Sequence, residues 1–540
     1  MPKTNPKYIF VVGGVMSSVG KGVTSASIAK LIQARGYKVA CMKCDMYVNI
    51  DAGTIRPAEH GEVFVGADGV EADQDLGNYE RFTDEICTLD NYITTGQIYQ
   101  EVIRRERNLE YGGEDVEVVP DVPKEIIRRI EACQKNTGAD VMVIEFGGTI
   151  GEYQLLLFLE AARMMKVASP EDVSIVMVSY LPTPSLLGEQ KSKPTQYAIR
   201  TLNSAGLAPD FIFCRASKHV TPDIKRTISN VCSLPEERIV SAPNVDFIYE
   251  VPLVFAEQGV GKHMLEALHL KPNESKMDDW EKLVDKIKSV KKEVTIGIVG
   301  KYFNMKSCRD TYISVIESIY HACWANARKP NIVWIDAEKF EKDAKTLKEL
   351  DGVDGIVVPG GFGERGTEGM ILAAEYAREN KIPYLGLCLG MQILTIEFAR
   401  NVCGLNRAHS EELDPKTPHP VIHIMEEQKK HMAEKNYGAT MRLGVYECKI
   451  KEGTKSAEAY KKKSVMERHR HRFEFNNAYR DRLQEAGLVI AGVNPTQDLV
   501  EIVEVKDHPF FVGVQFHPEF QSRPLSPHPL FVGFVKAASE

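Results

Sequence analysis

Short apolar runs alternate with segments of helical spacing throughout residues 1–270. The apolar runs have strand length and lie at 8–12, 39–42, 141–146, 175–178 and 211–214, and the helical spacing is clearest at 25–34 and 124–133. Parallel strands need crossover connections, and the crossover helices cover the faces of the sheet. The alternation therefore predicts an α/β domain built on a parallel sheet.

The pattern changes at residues 271–293. This stretch begins with polar residues and a proline, and a mixed-charge run follows whose spacing predicts a helix at 278–290. A second βα series then continues to the C-terminus, with apolar runs at 294–299, 332–335, 355–358 and 383–387. We therefore predict two α/β domains, at 1–270 and 294–540, joined by a linker at 271–293. The polar stretch at 425–437 indicates a surface loop or insertion.

Composition narrows the classes of function. A chain of 540 residues with 43% apolar residues can form two large domains with ample cores. The net charge of −8 argues against a protein that coats nucleic acid, so anionic ligands have to bind at local basic sites. The 11 cysteines are too sparse for a disulfide framework, and the sequence shows neither a cleavable signal nor a bilayer-spanning apolar run. We expect a cytoplasmic protein that binds neither nucleic acid nor membrane.

A glycine-rich loop follows the first apolar run. Gly14, Gly20 and Gly22 surround Lys21, and a helical segment comes directly afterwards. Glycines let backbone N–H groups approach a polyphosphate, the helix N-terminus attracts anions, and the lysine neutralises charge. The loop departs from a strict Walker A motif in its spacing and in the glycine after Lys21. It indicates ATP binding, and the alternative is a structural glycine turn.

Two acidic residues strengthen the ATP interpretation. Glu145 lies near the end of an apolar run, and Asp75 lies in a polar, turn-prone stretch. Ligands of open α/β sheets collect at the C-terminal ends of the strands, where carboxylates can hold Mg²⁺ beside phosphate oxygens. For Asp75 taken alone, a solvated loop acid is the more common interpretation.

A basic cluster at 191–196 suits a second anionic ligand such as a nucleoside triphosphate. Lys191 and Lys193 stand among hydroxyl and amide donors. Without further context, a solvated lysine loop is the simpler interpretation.

Cys388 is a candidate nucleophile. It lies between an apolar run at 383–387 and a helical segment at 389–400, with a glycine two positions before it and another two positions after it. This is the nucleophile-elbow pattern with sulfur in place of oxygen, and the helix N-terminus favours the thiolate. His517 can act as the base, and Glu519 can orient it.

The glycine-rich loop at 359–363 follows another strand-like run. Its backbone N–H groups and that of Leu389 can form an oxyanion hole. A single cysteine in an apolar run is usually a core residue, but the elbow, the histidine–carboxylate pair and this loop together favour a glutamine-splitting hydrolase. An ATP-using half joined to such a hydrolase indicates the formation of a C–N bond with ammonia.

Two other patterns are weak indications of a metal, redox or nucleic-acid site. Cys41 and Cys44 form a CxxC pair on a predicted strand, where positions three apart face opposite sides, and no second ligand pair accompanies them. The run at 467–472 alternates arginine and histidine and can suggest a metal site or a nucleic-acid patch. In an acidic protein we favour a local anion pocket or a solvated face.

With these motifs in place, the chain resembles the CTP synthase family over nearly its whole length. The matching segments are 43–45, 60–65, 76–82, 191–196, 386–392, 468–473 and 515–520. The resemblance implies an N-terminal P-loop-like amidoligase domain with a parallel sheet and a C-terminal class I glutamine amidotransferase domain. It implies that ATP phosphorylates O4 of UTP and that ammonia from glutamine displaces the phosphate to give CTP, in pyrimidine biosynthesis. Family members are typically homotetramers that use Mg²⁺, are activated by GTP and are inhibited by CTP.

The resemblance also implies site residues. Those for ATP are Ser18, Val19, Gly20, Lys21, Gly22, Val23, Lys43 and Asp75, and those for Mg²⁺ are Asp75 and Glu145. Those for UTP are Ser17, Lys191, Ser192, Lys193, Pro194, Thr195 and Gln196. The triad is Cys388, His517 and Glu519. The residues that bind the substrate glutamine are Gly361, Leu389, Gly390, Met391, Gln392, Glu412 and Arg472. The loop at 362–370, with Arg365, would serve a GTP-dependent lid.

Several positions depart from the family pattern around the nucleotide base. They are Met46, Glu152, Tyr153, Gln154, Thr227, Val231 and the segment 409–413. We expect UTP use to be kept and feedback by CTP to be weakened or re-routed. One rival is an amidoligase with a carboxylate acceptor, against which the 191–196 motif argues. Another is a catalytically degraded paralogue that serves as a structural or filament subunit, against which the intact triad argues.

Overall fold

The computed structural model describes residues 5–184, 188–301, 308–425, 428–429 and 438–540. The chain forms two compact units. The first consists of the described residues up to Ala52 together with Asp75–Val284, and the second consists of Gly53–Gln74 together with Asp285–Glu540. Residues 53–74 therefore group with the second unit although they precede the linker. The domain limits of 1–270 and 294–540 stay a prediction.

Strands make up the centre of both units. In chain order they are β1 (Lys7–Gly14), β2 (Val39–Asp45), β3 (Val63–Val65), β4 (Glu71–Asp73), β5 (Tyr92–Thr94), β6 (Val141–Phe146), β7 (Val173–Tyr180), β8 (Phe211–Ala216), β9 (Ile239–Pro243), β10 (Glu293–Gly300), β11 (Lys329–Asp336), β12 (Gly355–Val358), β13 (Tyr384–Leu387), β14 (Ala408–Ser410), β15 (His419–Ile424), β16 (Arg442–Ile450), β17 (Ser464–His471), β18 (Phe473–Phe475), β19 (Leu488–Val493), β20 (Val500–Val505) and β21 (Phe511–Val514).

Helices connect and cover these strands. In chain order they are α1 (Lys21–Gln33), α2 (Pro57–His60), α3 (Asp75–Thr83), α4 (Thr95–Arg107), α5 (Val118–Thr137), α6 (Leu156–Ala168), α7 (Lys193–Ser204), α8 (Pro222–Cys232), α9 (Val251–Glu257), α10 (Val260–Ala267), α11 (Asp278–Ser289), α12 (Cys308–Thr311), α13 (Ile313–Ala325), α14 (Ala337–Lys342), α15 (Thr367–Glu379), α16 (Leu389–Asn401), α17 (Lys455–Tyr460), α18 (Arg480–Glu485) and α19 (Pro529–Ala538). None of the helices in the described ranges is long and apolar enough to cross a membrane.

The first unit is built on a seven-stranded sheet in the order β5-β2-β6-β1-β7-β8-β9. Every neighbouring pair is parallel. The central strands β1, β2 and β6 are buried along their whole length, as expected for a sheet with helices on both faces. The predicted parallel sheet is confirmed.

The second unit contains a nine-stranded sheet in the order β11-β10-β12-β13-β21-β20-β19-β16-β17. The first five strands are parallel, and β20, β19, β16 and β17 continue the sheet in antiparallel fashion. A small sheet of β14, β15 and β18 and the β3–β4 hairpin complete the unit. The prediction of a βα series that continues to the C-terminus is therefore wrong after α16, because hairpin-like antiparallel strands replace the crossovers.

The predicted element types otherwise hold. The helix predicted at 278–290 is α11, and the strands predicted at 141–146 and 355–358 have the predicted bounds as β6 and β12. The polar stretch predicted as a loop at 425–437 lies outside the described residues, apart from 425 and 428–429.

Candidate active sites

In the first unit, the glycine-rich loop joins β1 directly to α1. Gly20 takes a left-handed conformation with φ of 88° at the N-cap of α1, and Lys21 is the first helical residue. The first N–H groups of a helix have no partners within the helix, so this end of α1 can bind an anion. Lys21 is 9% exposed, and its Nζ donates to Gly148 O at 3.0 Å. Burial lowers the pKa of Lys21, and the negative charge of Glu145 acts in the opposite direction.

Gly22 explains one departure from the Walker A motif. A Cβ atom at this position would lie 1.8 Å from Asp75 Oδ1, so the carboxylate occupies the space that a Ser or Thr side chain would need. The Asp75 carboxylate also accepts a hydrogen bond from Asn78 Nδ2 at 3.2 Å. Asp75 is therefore packed against the loop and is not a solvated loop acid.

Lys43 contacts both predicted magnesium ligands. Its Nζ contacts Asp75 Oδ2 and lies 3.2 Å from Glu145 Oε1, while Tyr79 donates from its hydroxyl to Glu145 Oε2 at 2.5 Å. Burial, followed by the negative charge of Asp75, raises the pKa of Glu145 to about 7. Two carboxylates converging on one cation form a donor set of hard oxygens, and this chemistry fits Mg²⁺.

The segment 191–196 begins α7. Lys191 Nζ pairs with Glu189 Oε2 at 2.9 Å, and Lys193 Nζ donates to Gln196 Oε1 at 3.2 Å. Thr195 is fully buried and its hydroxyl lies 2.8 Å from Ser179 Oγ on β7. Thr195 therefore fixes α7 to the sheet, while the two lysines have polar partners at the start of the helix.

The remaining predicted nucleotide residues differ in exposure. Ser17 and Ser18 are exposed in the loop, and Val19 is buried. The loop follows β1, Glu145 lies near the end of β6, and Ser179 lies near the end of β7. These neighbouring parallel strands end at one edge of the sheet, where open α/β sheets bind ligands.

The residues that depart from the family pattern have local partners. Gln154 Nε2 donates to Glu152 Oε2 at 2.7 Å, and the Thr227 hydroxyl donates to Asp223 O at 2.7 Å on α8. Tyr153 is 91% exposed and Val231 is 44% exposed. These side chains lie outside the core of the first unit, whereas Met46, another departure from the family pattern, is 5% exposed and belongs to that core.

In the second unit, Cys388 stands at the turn between β13 and α16. Its φ of 51° is unusual for a residue with a side chain, and the residue is 5% exposed. A Cβ atom on Gly386 would lie 2.5 Å from Gly390 O, and one on Gly390 would lie 2.1 Å from Val358 O. The two glycines are therefore needed for the tight strand–turn–helix geometry that the sequence predicted.

His517 and Glu519 form a buried pair beside Cys388. His517 Nδ1 lies 2.7 Å from Glu519 Oε1, while its Nε2 has no hydrogen-bonding partner among the described residues. Burial alone would lower the pKa of His517, but Glu519 and then Cys388 outweigh it and raise the pKa to about 10. A Cβ atom on Gly360 would lie 2.8 Å from His517 Cε1, so glycine is required where the loop passes the imidazole.

A cavity of about 330 Å³ opens at Cys388. Its lining is Gly361, Phe362, Cys388, Leu389, Gln392, Glu411, Glu412, Pro415, His471, Arg472 and Phe473. Five of the residues predicted to bind glutamine therefore line the cavity at the thiol, whereas Gly390 and Met391 belong to the packed turn behind it. Sequence reasoning missed Glu411, Pro415, His471 and Phe473. Only the positions of Glu411 beside Glu412, and of His471 and Phe473 beside Arg472, gave a signal.

Glu412 and Arg472, the two charged residues predicted to bind glutamine, are held in place. Arg472 Nη1 donates to Gln428 Oε1 at 2.6 Å and to Thr440 Oγ1 at 2.8 Å. Burial raises the pKa of Glu412, and a hydrogen bond from the Gly363 backbone opposes this effect. A guanidinium and a carboxylate at one cavity suit the α-carboxylate and the α-amino group of an amino acid.

The predicted oxyanion loop is anchored by a buried lysine. Lys301 Nζ donates to Gly363 O at 2.5 Å, and burial lowers the pKa of Lys301 to about 8. In the following turn, Arg365 pairs with Glu338. The loop therefore has a fixed backbone next to the thiol.

The β3–β4 hairpin packs against β17 and the residues around His517. Arg468 Nη1 donates to Val65 O at 3.0 Å, and the Phe64 and Phe520 rings lie 5.1 Å apart. Our alternative of a solvated face at 467–472 is wrong, because Glu467, Arg468, His469 and His471 are at most 2% exposed. The hairpin covers this strand.

The comparisons with known proteins agree with this geometry. Residues 7–270 match the family model described as CTP synthase N-terminus, and residues 307–537 match glutamine amidotransferase class-I. The CTP synthase of Caldanaerobacter subterraneus subsp. tengcongensis is 50% identical over 533 residues, 98% of each chain. That of Pyrococcus abyssi is 48% identical over 536 residues, 99% of this chain and 98% of the relative.

A solved structure of the glutaminase domain of Trypanosoma brucei CTPS with bound acivicin is 41% identical. It covers 46% of this chain and 94% of its own, with a TM-score of 0.43. The full-length identity to the curated relatives and the two family matches lead to one conclusion. The chain belongs to the CTP synthase family and is a ligase that aminates UTP to CTP with nitrogen from glutamine, in pyrimidine biosynthesis.

Proposed function

We propose that the two units divide the reaction between them, with nucleotide chemistry in the first and glutamine hydrolysis in the second. The observation that carries this proposal is that the two sites belong to different units. Lys21, Lys43, Asp75 and Glu145 belong to the first unit, and the cavity at Cys388 belongs to the second.

In the first unit, ATP transfers its terminal phosphoryl group to O4 of UTP. Lys21 and the N-terminus of α1 neutralise the phosphate charge, which is the main contribution that a protein makes to phosphoryl transfer. Lys191 and Lys193, with Ser17, Ser192 and Gln196, bind the UTP triphosphate, and the buried Thr195 holds the start of α7 in position. Ammonia then attacks C4, and phosphate leaves to give CTP.

Asp75 and Glu145 are the residues that would hold Mg²⁺. When bound, the ion neutralises charge on the phosphate oxygens of the nucleotide. Lys43 contacts both carboxylates, so it limits their mutual repulsion in the absence of nucleotide. The raised pKa of Glu145 supports a role in binding a cation, because burial and Asp75 make its charge costly without one.

In the second unit, Cys388 attacks the carboxamide carbon of glutamine. His517 takes the thiol proton and returns it to the leaving ammonia, and Glu519 orients the imidazole. Water then hydrolyses the thioester to release glutamate. The backbone of the loop at 359–363 and the N–H of Leu389 stabilise the oxyanion, while Glu412 and Arg472 hold the amino acid.

Regulation and assembly are further parts of the proposal. GTP would activate glutamine hydrolysis at the loop 362–370, where the exposed Phe362 ring lies 5.2 Å from the Arg470 guanidinium. A homotetramer is the assembly that the resemblance to the family implies. A cytoplasmic location suits a nucleophilic thiol, which has to stay reduced.

The test is a paired assay of Cys388→Ala with glutamine or with ammonium salts. We expect glutamine-dependent CTP formation to be lost and ammonium-dependent formation to be kept, because the thiol serves only the second unit. A folded variant that loses both activities would contradict the proposed division.

A further inference from the structure

The hydrogen bonds around Cys388 fix the orientation of two glutamine side chains. Phe473 O is a backbone carbonyl and can only accept, so Gln392 faces it with Nε2, at 3.1 Å. Gln392 Nε2 also lies 3.4 Å from Gln515 Oε1. The oxygen of Gln515 is therefore the acceptor, and its Nε2 points to Cys388 Sγ at 3.6 Å. The orientation of Gln515 follows from a backbone carbonyl and not from a free choice of amide flip.

Gln515 is held rigidly in this position. It is 1% exposed, and Gln392 is 4% exposed. The backbone N–H of Gln515 donates to Glu501 O at 2.9 Å, which ties the residue to the sheet directly after β21. A donor that is buried and fixed in advance interacts more strongly with a charge than the same group does in water.

The other polar contact of the sulfur is with a hydrogen-bond acceptor. Cys388 Sγ lies 3.8 Å from Arg470 O, which can accept a hydrogen bond from the thiol but cannot donate one to a thiolate. After His517 removes the proton, the sulfur can only accept. Besides the protonated His517 imidazole, Gln515 Nε2 is then a side-chain donor to the thiolate.

We propose that Gln515 is a catalytic hydrogen-bond donor that stabilises the Cys388 thiolate during glutamine hydrolysis. This inference rests on the proposed role of Cys388 as the nucleophile. Gln515 acts before the attack, when the thiolate forms, and again when the thioester breaks and the sulfur regains its electron pair. Gln392 and Phe473 O have the separate task of orienting the Gln515 amide.

The experiment compares two replacements of similar size with a matched control. Gln515→Met removes the donor, and Gln515→Glu keeps the shape but places an acceptor at the sulfur. Gln497→Met makes the same chemical change at an exposed turn in the same unit. Glutamine hydrolysis, the alkylation of Cys388 by iodoacetamide without glutamine, and ammonium-dependent CTP synthesis are measured for each. Urea titration of each variant checks the folding of the second unit.

Hydrogen bonds to charged groups predict a loss of about tenfold to a hundredfold in kcat for Gln515→Met, with a parallel loss in the alkylation rate. Gln515→Glu should be slower still, because its carboxylate repels the thiolate. A packing role predicts the reverse order, with the isosteric Gln515→Glu close to the wild type. That order, or a change in KM alone, would overturn the proposal. Cys388→Ala remains inactive with glutamine in either case, so a failure here leaves the role of Cys388 intact.

Discussion

Arg470 Nε donates to Glu71 Oε1 at 2.8 Å, which joins two residues that are 399 positions apart in the chain. Both belong to the second unit, and the side chains are 11% and 1% exposed. The carbonyl of Arg470 faces Cys388 Sγ, and its guanidinium lies over Phe362. Glu71 thus fixes a residue that borders the thiol on one side and the glycine loop on the other.

Glu71→Ala should destabilise the second unit and reduce glutamine hydrolysis. Removing one partner of a buried pair leaves the other charge unpaired, at a cost of about 3 kcal/mol. The free energy of unfolding from urea titration measures this effect. Glu452→Ala is the control, since it breaks a surface pair with Lys463 in the same unit and should change little. Equal losses in the free energy of unfolding for the two substitutions would show that the Glu71–Arg470 pair stabilises the unit no more than a surface pair does.

Lys21→Ala should abolish CTP synthesis from either nitrogen source. The side chain lies at the start of α1, where it can neutralise charge on the transferring phosphoryl group. Basal glutamine hydrolysis should remain, because Lys21 belongs to the other unit. Near-normal synthesis from ammonium salts would refute an essential role for this lysine.

The pairing of His517 with Glu519 predicts a pH-dependent contribution to stability. The pKa of His517 is raised from 6.5 to about 10, mainly by Glu519 acting against burial. A raised pKa stabilises the folded state fully below pH 6.5, and this contribution is lost as the pH rises to about 10.

Glu519→Gln removes the main cause of that shift. The difference in unfolding free energy between the wild type and this variant should be fully present at pH 6.5 and below, and should shrink toward pH 10. Urea titrations across this range measure it. A difference that grows with pH would contradict the assignment of the charged pair.

Feedback by CTP is the property in which we expect this chain to differ from its relatives. The resemblance to the family implies a lysine where this chain has Thr227, whose hydroxyl donates to Asp223 O on its own helix. Thr227→Lys should lower the inhibition constant for CTP by about tenfold, the effect of one charge-assisted hydrogen bond, while the KM for UTP changes little.

The control for this experiment is Asn230→Lys, which adds the same charge at another exposed position of α8. It should leave inhibition by CTP unchanged. If both lysines strengthen inhibition equally, the effect is one of net charge. If neither does, Lys225 or Arg226 already supplies the missing cation.

Much of the fold and of both sites was predictable from the sequence, because the signals are local. The elbow at Cys388 depends on glycines two positions away, and the phosphate loop depends on a strand, a glycine run and a helix in direct succession. The buried strands of the first unit are continuous apolar runs, which are visible without any knowledge of their neighbours.

The features that were missed depend on distant partners. Nothing near residues 53–74 shows that they group with the second unit, since their contacts lie at Arg468, Arg470 and Phe520. The glycine at position 22 departs from the Walker A motif because the Asp75 carboxylate fills the space that a side chain would need, and this contact is visible only in the fold. The antiparallel strands after α16 have short alternating patterns that did not stand out against the βα series before them.

The most direct test of the account follows the amide nitrogen of glutamine. The wild-type protein is incubated with UTP, ATP, Mg²⁺ and glutamine labelled with heavy nitrogen at its amide, and the nucleotides are analysed by mass spectrometry. The account predicts CTP that carries the heavy nitrogen in its amino group, with ADP, phosphate and glutamate formed in equal amounts. Absence of CTP under all nucleotide conditions, with or without GTP, would contradict it.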